Sequence, residues 1–231
     1  MDVNRRTRTR SQDHGRSHRT QAERRQHTRQ ALLDAALLQI EAGESFDLLS
    51  LRSVTRAAGV VPTAFYRHFA SVDELGLVLV EESFRTLRRM LRDAREGLAP
   101  EHIIKRSVEV LMSHVREHRR HFVFVVRVGY TGNTVLRHAV RNEIRLFTSE
   151  LATDLARFPV LREWTTEDLQ MLAGLLVNTM IATVGAMLDV PVAAPEAEAE
   201  IARTAEKQLR LAMLGVPRWR SHADAETRGS G

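Results

Sequence analysis

The chain of 231 residues contains no cysteine, and this absence removes several kinds of chemistry at once. Disulfide bridges, zinc sites built from thiolates and cysteine nucleophiles are excluded, which fits a protein of the reducing cytoplasm. Long apolar runs are also missing. The longest candidate, residues 171–190, is interrupted by Asn178 and Asp189 and does not make an unbroken apolar span of about eighteen residues. The N-terminus has many arginines and no apolar segment, so no secretory signal is predicted.

Motifs that mark enzymes are absent as well. The sequence has no glycine-rich phosphate loop, no Ser-His-Asp arrangement and no pair of carboxylates at a catalytic spacing. We therefore predict no enzymatic activity and no cofactor.

Positive charge is present, and most of it lies at one end of the chain. The net charge is +5, yet residues 1–30 hold nine arginines against three acidic residues. Residues 1–20 have no large hydrophobic side chain after Val3 and are predicted to form a disordered basic arm. Such an arm either contacts DNA phosphates and a minor groove or is a solvated tail. We favour DNA contact.

Residues 50–69 predict two short helices joined by a glycine turn. Gly59 stands where the first helix ends, because glycine adopts left-handed backbone at little cost. Pro62 suits the first position of the second helix, where its missing N–H is not needed. Phe65 and Phe69 are four residues apart and are predicted to be buried anchors. Polar and basic side chains then face outward, as in a helix-turn-helix that enters the DNA major groove.

An ordinary helical hairpin with solvated basic side chains is the alternative interpretation. The neighbouring segments favour the helix-turn-helix. Leu32, Ala36 and Ile40 recur at helical spacing before it, and Ser71 with Glu74 predicts a capped helix after it.

Three short runs in and around this segment match a known signature. They are Ala57-Ala58-Gly59-Val60, Phe65-Tyr66-Arg67-His68-Phe69 and Asp73-Glu74-Leu75. This pattern resembles TetR-type bacterial transcription regulators. Within that family, residues 62–69 and 72–77 resemble the subgroup containing FabR and DesT. Pro62 and Val72 depart from the general family pattern, which has serine and lysine near these positions and uses them for phosphate contacts.

The resemblance implies an all-α fold with an N-terminal three-helix helix-turn-helix domain and a C-terminal helical domain for ligand binding and dimerisation. The predicted organisation is a basic arm (1–20), a helix-turn-helix domain (21–70), a connecting helix (71–95), the ligand-binding and dimerisation domain (96–215) and a flexible tail (216–231). Homodimers of this type place two heads about 34 Å apart on a palindromic operator. Members of the subgroup repress fatty-acid genes and sense long-chain acyl thioesters.

Eight side chains are predicted to contact DNA. Thr63 and Ala64 start the second helix of the motif and suit base edges or a thymine methyl group. By family position, Tyr66, Arg67 and His68 mostly contact the DNA backbone. The remaining phosphate contacts, favoured by positive charge and helix N-termini, are predicted at Arg24, Thr28 and Arg52.

The segment from Leu169 to Leu188 is apolar nearly all round, so most of its surface must be covered. Plain intramolecular core is one explanation. The resemblance gives another, because the last two long helices of the family form a two-fold dimer interface. The predicted dimer contacts are Leu172, Leu176, Ile181 and Leu209.

Methionine and phenylalanine side chains in the C-terminal part are predicted to line an apolar pocket for an acyl chain, with ordinary core packing as the alternative for each. Arg127 follows this apolar run and is a candidate for contacting a polar thioester or phosphate head group. The predicted apolar lining is Met112, Phe122, Phe124, Met180 and Met187.

His114 and His118 are one helical turn apart, and His121 is nearby. Such a pair can hold a metal ion, but arginines at 116, 119 and 120 would repel a cation. A basic, solvated helix face is the favoured interpretation, and no metal site is predicted.

Together these features predict a cytoplasmic, nucleoid-associated homodimeric repressor of fatty-acid genes. It is expected to bind double-stranded palindromic operator DNA under the control of an acyl-CoA or acyl-ACP. Two alternatives stay open. One is a TetR-type regulator of an efflux or catabolic operon that senses another apolar molecule. The other is an acyl-thioester binding protein without a specific operator.

Overall fold

A computed structural model describes residues 20–93, 100–130, 132–191 and 194–221, and these ranges contain nine α-helices and no strand. The all-α prediction is therefore confirmed. The predicted basic arm lies almost entirely outside the described residues. The helices are α1 (Gln21–Glu41), α2 (Leu51–Ala57), α3 (Pro62–Phe65), α4 (Val72–Asp93), α5 (Pro100–Glu117), α6 (Arg119–Tyr130), α7 (Thr134–Leu155), α8 (Thr166–Asp189) and α9 (Pro195–Gly215).

A reciprocal cap starts α1. The Glu23 N–H donates to Thr20 Oγ1 at 3.2 Å, and the Thr20 N–H donates to the Glu23 carboxylate at 2.7 Å. The predicted inward stripe of Leu32, Ala36 and Ile40 is confirmed, because all three side chains are buried. α1 is therefore fixed at its start by the cap and along its length by apolar packing.

The turn between α2 and α3 has the predicted geometry. Gly59 adopts φ +67°, and the Val60 N–H donates to the Thr55 carbonyl at 3.0 Å. Pro62 is the first residue of α3, and Phe65 and Phe69 are buried with ring centroids 5.6 Å apart. The α-helical part of α3 is shorter than expected, because residues 66–68 continue it as turns.

Close packing joins α4 to α7 at Gly76. A Cβ atom at this position would lie 2.6 Å from Phe46 Cζ and 2.8 Å from Leu136 Cδ1, closer than packed carbon atoms approach. Glycine is required here to let the two helices come together. Upstream, the Glu74 N–H donates to Ser71 Oγ at 3.0 Å, and the Glu74 carboxylate accepts from the Ala70 N–H.

Two hydrophobic cores divide the molecule. The head core is built by α1–α4, and α6 and α7 complete it with Phe124, Val128, Leu136 and Val140. The body core is built by the C-terminal end of α4 and by α5–α9. The two long helices of the head therefore contact the C-terminal part directly, since α6 packs against α1 and α4 and α7 packs against α4.

Among the described helices, α8 alone is long and apolar enough to cross a membrane. Its buried side chains, including Leu172, Ala173 and Val177, belong to the body core. α8 packs between α7 and α9. These contacts explain much of its apolar composition.

The first residues of the predicted flexible tail are packed. Val216 is buried, and the rings of Trp164 and Trp219 lie 6.3 Å apart. The Thr165 N–H donates to Ser221 Oγ at 2.7 Å, so the chain after α9 closes over the start of α8. The tail prediction for residues 216–221 is corrected accordingly, and the rest of that segment lies outside the described residues.

Candidate DNA-binding face and ligand cavity

The helix-turn-helix presents an outer face of polar and basic side chains. Thr63, Tyr66 and Arg67 are exposed, with Tyr66 at 64% of its full accessible area. Arg52 is exposed at the start of α2. The buried rings of Phe65 and Phe69 hold α3 from behind, and this packing turns the intervening residues outward.

Three of the predicted cations have no counter-charge within the part of the chain that the structure describes. Among the described residues, Arg24, Arg52 and Arg67 form no ion pair. Many arginines elsewhere do form one, such as Arg88 with Glu143 at 2.6 Å. Unpaired guanidinium groups beside a helix-turn-helix suit the phosphates of a duplex.

His68 lies half-buried between this face and α1. Burial lowers its pKa from 6.5, and the nearby charges of Arg25, Arg29 and Arg67 lower it further. The ring is therefore neutral at pH 7 in the absence of an anion. Arg25 was not among the predicted contacts, although its place one residue after Arg24 in a basic run was a visible signal.

The remaining predicted contacts occupy less open positions. Ala64 and Thr28 are half-buried, and the Thr28 hydroxyl donates to the Arg24 carbonyl at 3.0 Å. Arg29 is held in place, because it pairs with Glu82 at 3.0 Å and lies over the Phe69 ring at 5.7 Å.

A cavity of about 900 Å³ lies between α1 and α4–α8. This volume is at the upper end of the range of roughly 300–1,000 Å³ that is typical of small-molecule sites. The lining is mostly apolar. Its polar side chains are three histidines, Gln30, Glu82, Ser83, Arg85, Thr86, Arg141 and Asn178. Its apolar side chains include Leu87, Leu111, Phe122, Val126, Ile144 and Met180.

Two of the six predicted ligand residues, Phe122 and Met180, line this cavity. The other four do not, and a ligand held there would not contact them. Met112 and Met187 are buried in the body core. Phe124 belongs to the head core, with its ring 5.9 Å from that of Phe46. The exposed Arg127 donates to the Ile40 carbonyl at the end of α1, so its guanidinium fastens α6 to the head.

His114 corrects the interpretation of a solvated histidine face. Only 2% of the residue is exposed, its ring lines the cavity, and its Nδ1 has no hydrogen-bond partner. Burial and the neighbouring His118 lower the pKa of His114 to about 4. The signal was present in the helical register, since Ser107, Leu111 and His114 recur on one inward stripe of α5.

The surroundings of His121 also disfavour its charged form. Ser83 Oγ donates its only proton to the Leu79 carbonyl at 2.7 Å and contacts His121 Nδ1 at 3.0 Å. His121 Nδ1 must therefore carry the proton and donate to Ser83, which leaves Nε2 as an acceptor. Burial lowers the pKa of His121, and His118 adds to this effect.

No metal centre is formed by the residues that the structure describes. No set of three or more His, Asp or Glu side chains is close enough to hold an ion. The three histidine rings are close neighbours nonetheless, with centroids 4.4 Å apart for His114 and His118 and 6.2 Å apart for His118 and His121.

The predicted dimer contacts fall at mixed positions. Leu172 and Leu209 are buried within the chain, so neither can meet a partner, and Leu176 is half-buried. Ile181 is 38% exposed and lines the cavity. The open apolar side chains of the last two helices are Met171, Leu175, Leu211 and Leu214.

Comparison with known proteins identifies the architecture. The family described as Tetracyclin repressor-like, C-terminal domain, matches residues 100–215. FadR from Bacillus halodurans is similar in structure at a TM-score of 0.64, with 16% identity, over 81% of this chain and 95% of that one. Salmonella enterica GusR has a TM-score of 0.64 at 22% identity, over 83% and 96% of the two chains. FadR from Bacillus subtilis, solved in complex with stearoyl-CoA, has a TM-score of 0.62 at 15% identity, over 80% and 98%.

At these identities the solved structures establish the fold alone. The family match covers half of the chain and includes α5–α9. The preceding helices supply the helix-turn-helix that a regulator of this fold requires. The chain belongs to the family of TetR-like transcriptional regulators.

Proposed function

We propose that this chain is a homodimeric, cytoplasmic repressor of fatty-acid genes that binds a palindromic operator and is controlled by a long-chain acyl ligand, an acyl-CoA or acyl-ACP. Enzymatic activity and cofactors have no part in the proposal. The observation that carries it is the combination of an unpaired basic face on α1–α3 and an apolar cavity in the body that extends to α1 and α4.

The DNA part rests on the unpaired cations of the head. Arg24, Arg52 and Arg67 are exposed on α1–α3 and the turn after α3, as are Thr63 and Tyr66. We assign the arginines to phosphates, and Thr63 with Ala64 to base edges, because short side chains at a helix start reach the groove floor.

Fluorescence anisotropy with the upstream intergenic DNA tests this part. Specific binding is expected at about 10⁻⁸–10⁻¹¹ M, at least a thousandfold tighter than to random DNA. Arg67→Ala and Arg52→Ala should each weaken binding and lower the salt slope by about 0.9 for each lost phosphate contact. Arg157→Ala is the control, since this exposed arginine lies just after α7 and away from the head. Equal binding to upstream and random DNA, also with other candidate promoters, would contradict the proposal.

The ligand part rests on the size and composition of the cavity. Its lining is dominated by aliphatic and aromatic side chains and includes the adaptable Met180. A structural relative, the FadR of Bacillus subtilis, was solved with stearoyl-CoA. An acyl chain is therefore the first ligand to test here.

Adding palmitoyl-CoA and oleoyl-CoA to the operator complex tests the ligand. We expect a shift in operator affinity, because a ligand that binds two conformations unequally changes their populations. Val126→Phe fills part of the cavity and should abolish the shift while leaving operator binding intact. Operator binding that no acyl thioester alters would keep the repressor and discard the lipid ligand.

The dimer part rests on the open apolar side chains of the antiparallel pair α8 and α9. Leu175 is 52% exposed, and Leu211 and Leu214 are 71% and 73% exposed. Apolar groups this open, on the helices that the resemblance assigns to dimerisation, fit a second copy of the chain.

Sedimentation velocity tests the dimer. The double variant Leu175→Glu, Leu211→Glu should convert it to a monomer, because two carboxylates per chain would be buried without partners. Val135→Glu is the matched control, an equally open apolar position at the start of α7. A double variant that remains dimeric would place the interface elsewhere.

A regulator of an efflux or catabolic operon is the second candidate. The polar part of the cavity lining, especially Asn178 and Arg141, favours it because such groups suit a ligand richer in polar atoms than an acyl chain. The mass of a ligand that copurifies with the protein distinguishes the two.

A further inference from the structure

Three histidines form one wall of the cavity. His114, His118 and His121 all line it, and they lie where α5 turns into α6. We call this group the histidine wall. His114 is the deepest member, since it is almost fully buried, whereas His118 is exposed. The wall therefore runs from solvent into the apolar interior.

His114 Nδ1 is a polar atom without a partner in this interior. Leaving a buried polar atom without a hydrogen-bond partner destabilises the folded protein. The ring packs edge-on against Phe122, with centroids 5.6 Å apart, so no polar side chain approaches from that direction. A polar ligand group that engages this ring would relieve part of the cost.

Three carboxylates lie around the histidine wall, and among the described residues only Glu82 is paired with a cation. Glu82 of α4 pairs with Arg29, Glu117 of α5 accepts from Ser113 Oγ at 2.9 Å, and Asp34 of α1 accepts from Gln30 Nε2 at 3.0 Å. The polar side chain that α8 adds to the lining, Asn178, is neutral, and Glu198 of α9 is paired with Arg116. The cationic groups of the lining are Arg85 on α4, which pairs with Glu81, and Arg141 on α7, which forms no ion pair among the described residues.

We propose that the histidine wall binds the anionic group of a ligand whose apolar chain fills the cavity, and that one proton enters with this anion. The proposal rests on the function proposed above and adds the chemistry of the ligand's polar head group. The anion is either the carboxylate of a fatty acid or a phosphate of an acyl-CoA.

The uptake of a proton with the anion follows from the burial of His114. An anion beside a neutral ring in an apolar cavity is strongly disfavoured unless a positive charge or a proton accompanies it. The free His114 is neutral at pH 7, because its pKa is lowered to about 4. Anion binding therefore takes up a proton, whether it resides on the imidazole or on the ligand, since the two groups titrate as a pair. A neutral head group would require no proton.

Isothermal titration calorimetry of the full-length protein tests the proposal with three probes that share one chain: dodecanoate, lauroyl-CoA and 1-dodecanol. Titrations at pH 7 in two buffers with different ionisation enthalpies count the protons. We expect uptake approaching one proton with an anionic probe and none with dodecanol. The affinity for that anion should rise up to about tenfold for each unit of pH lowered between pH 8 and pH 6, as linkage of one proton requires.

His114→Gln provides the matched variant, because it keeps a polar side chain of similar size that cannot be protonated. It should flatten the pH dependence for the anion and leave dodecanol affinity unchanged. His102→Gln is the control, an exposed histidine on the same helix and outside the cavity lining. If the variant does not fold, the number of protons taken up by the unaltered protein still tests the proposal.

The outcomes separate the two proposals. Proton uptake with dodecanoate supports a fatty-acid carboxylate, and uptake with lauroyl-CoA alone supports a phosphate. Anion binding without proton uptake would overturn the histidine-wall proposal and leave the lipid repressor intact. Failure of all three probes to bind would overturn this proposal and the acyl ligand together, while operator binding is measured independently.

Discussion

The head core and the body core are neighbours that share helices, yet they are packed in different ways. In the head core, Leu32, Leu33, Val54 and Phe65 are completely inaccessible, and Gly76 allows contact too close for any other residue. The body core borders a cavity of about 900 Å³, beside which the titratable side chain of His114 is buried. A tightly filled head suits the proposed DNA-binding role, whereas the cavity leaves space in the body for the proposed ligand.

The largest expected difference is in the free energy of unfolding that each core loses when a phenylalanine on α6 is replaced by alanine. Phe124 is completely buried in the head core, and Phe122 borders the cavity. Phe124→Ala should lower the free energy of unfolding by about 3–5 kcal/mol, and Phe122→Ala by at least about 1 kcal/mol less, because Phe122 already faces empty space. Urea unfolding followed by circular dichroism, at one protein concentration, measures both. Equal losses would show that the two cores are packed alike.

Two glycines sharpen the same comparison at a smaller scale. Gly76→Ala should destabilise the protein by about 1–3 kcal/mol, since the new methyl group meets the buried Phe46 and Leu136. Gly185, inside α8, has no atom within 4 Å of an added Cβ. Gly185→Ala should therefore stabilise the protein by about 0.5–1 kcal/mol through backbone entropy alone. Thermal unfolding of both variants checks the opposite signs, and a neutral Gly76→Ala would mean that the head core yields easily.

The smallest effect concerns pH and the body core. The pKa of His114 is about 4 in the folded protein and near the ordinary 6.5 in the unfolded chain. Below pH 6.5 the unfolded chain binds a proton that the folded protein does not, so stability falls as the pH drops toward 4. We expect a loss of about 0.7 kcal/mol between pH 7 and pH 6 from this group.

His114→Gln should remove that part of the pH dependence, and His102→Gln should leave it unchanged. Unfolding midpoints at several pH values measure the difference. A slope that is the same in both variants would show that other groups cause the loss.

Local sequence patterns were sufficient to predict the helix-turn-helix of the head. Gly59, Pro62, Phe65 and Phe69 occupy the turn, helix-start and anchor positions that their spacing predicts. These features depend on residues that are close together in the sequence, where helical period and capping are reliable. The predicted DNA contacts also fall mostly on the open face, although their roles remain predictions.

The site in the body was harder to predict from the sequence, because it depends on how helices that are far apart in the sequence pack together. The same run on α6 holds Phe122, which lines the cavity, and Phe124, which packs into the head core. Composition alone gives both residues the same role. Likewise, the apolar content of α8 does not reveal that Leu172 faces inward and Leu175 outward.

The double role of α6 has a consequence for how such chains can diverge. Phe124 and Val128 point into the head core, whereas Phe122, Val126 and Gly129 border the cavity. One residue inserted in the middle of this helix would rotate everything after it by about 100°, because an α-helix has 3.6 residues per turn. Side chains that now pack into the head core would then face the cavity. Side chains that now line the cavity would turn toward the head core. Substitutions on the cavity side of α6 can therefore change which ligand fits. An insertion or deletion within α6 would instead disturb the head core and the cavity together.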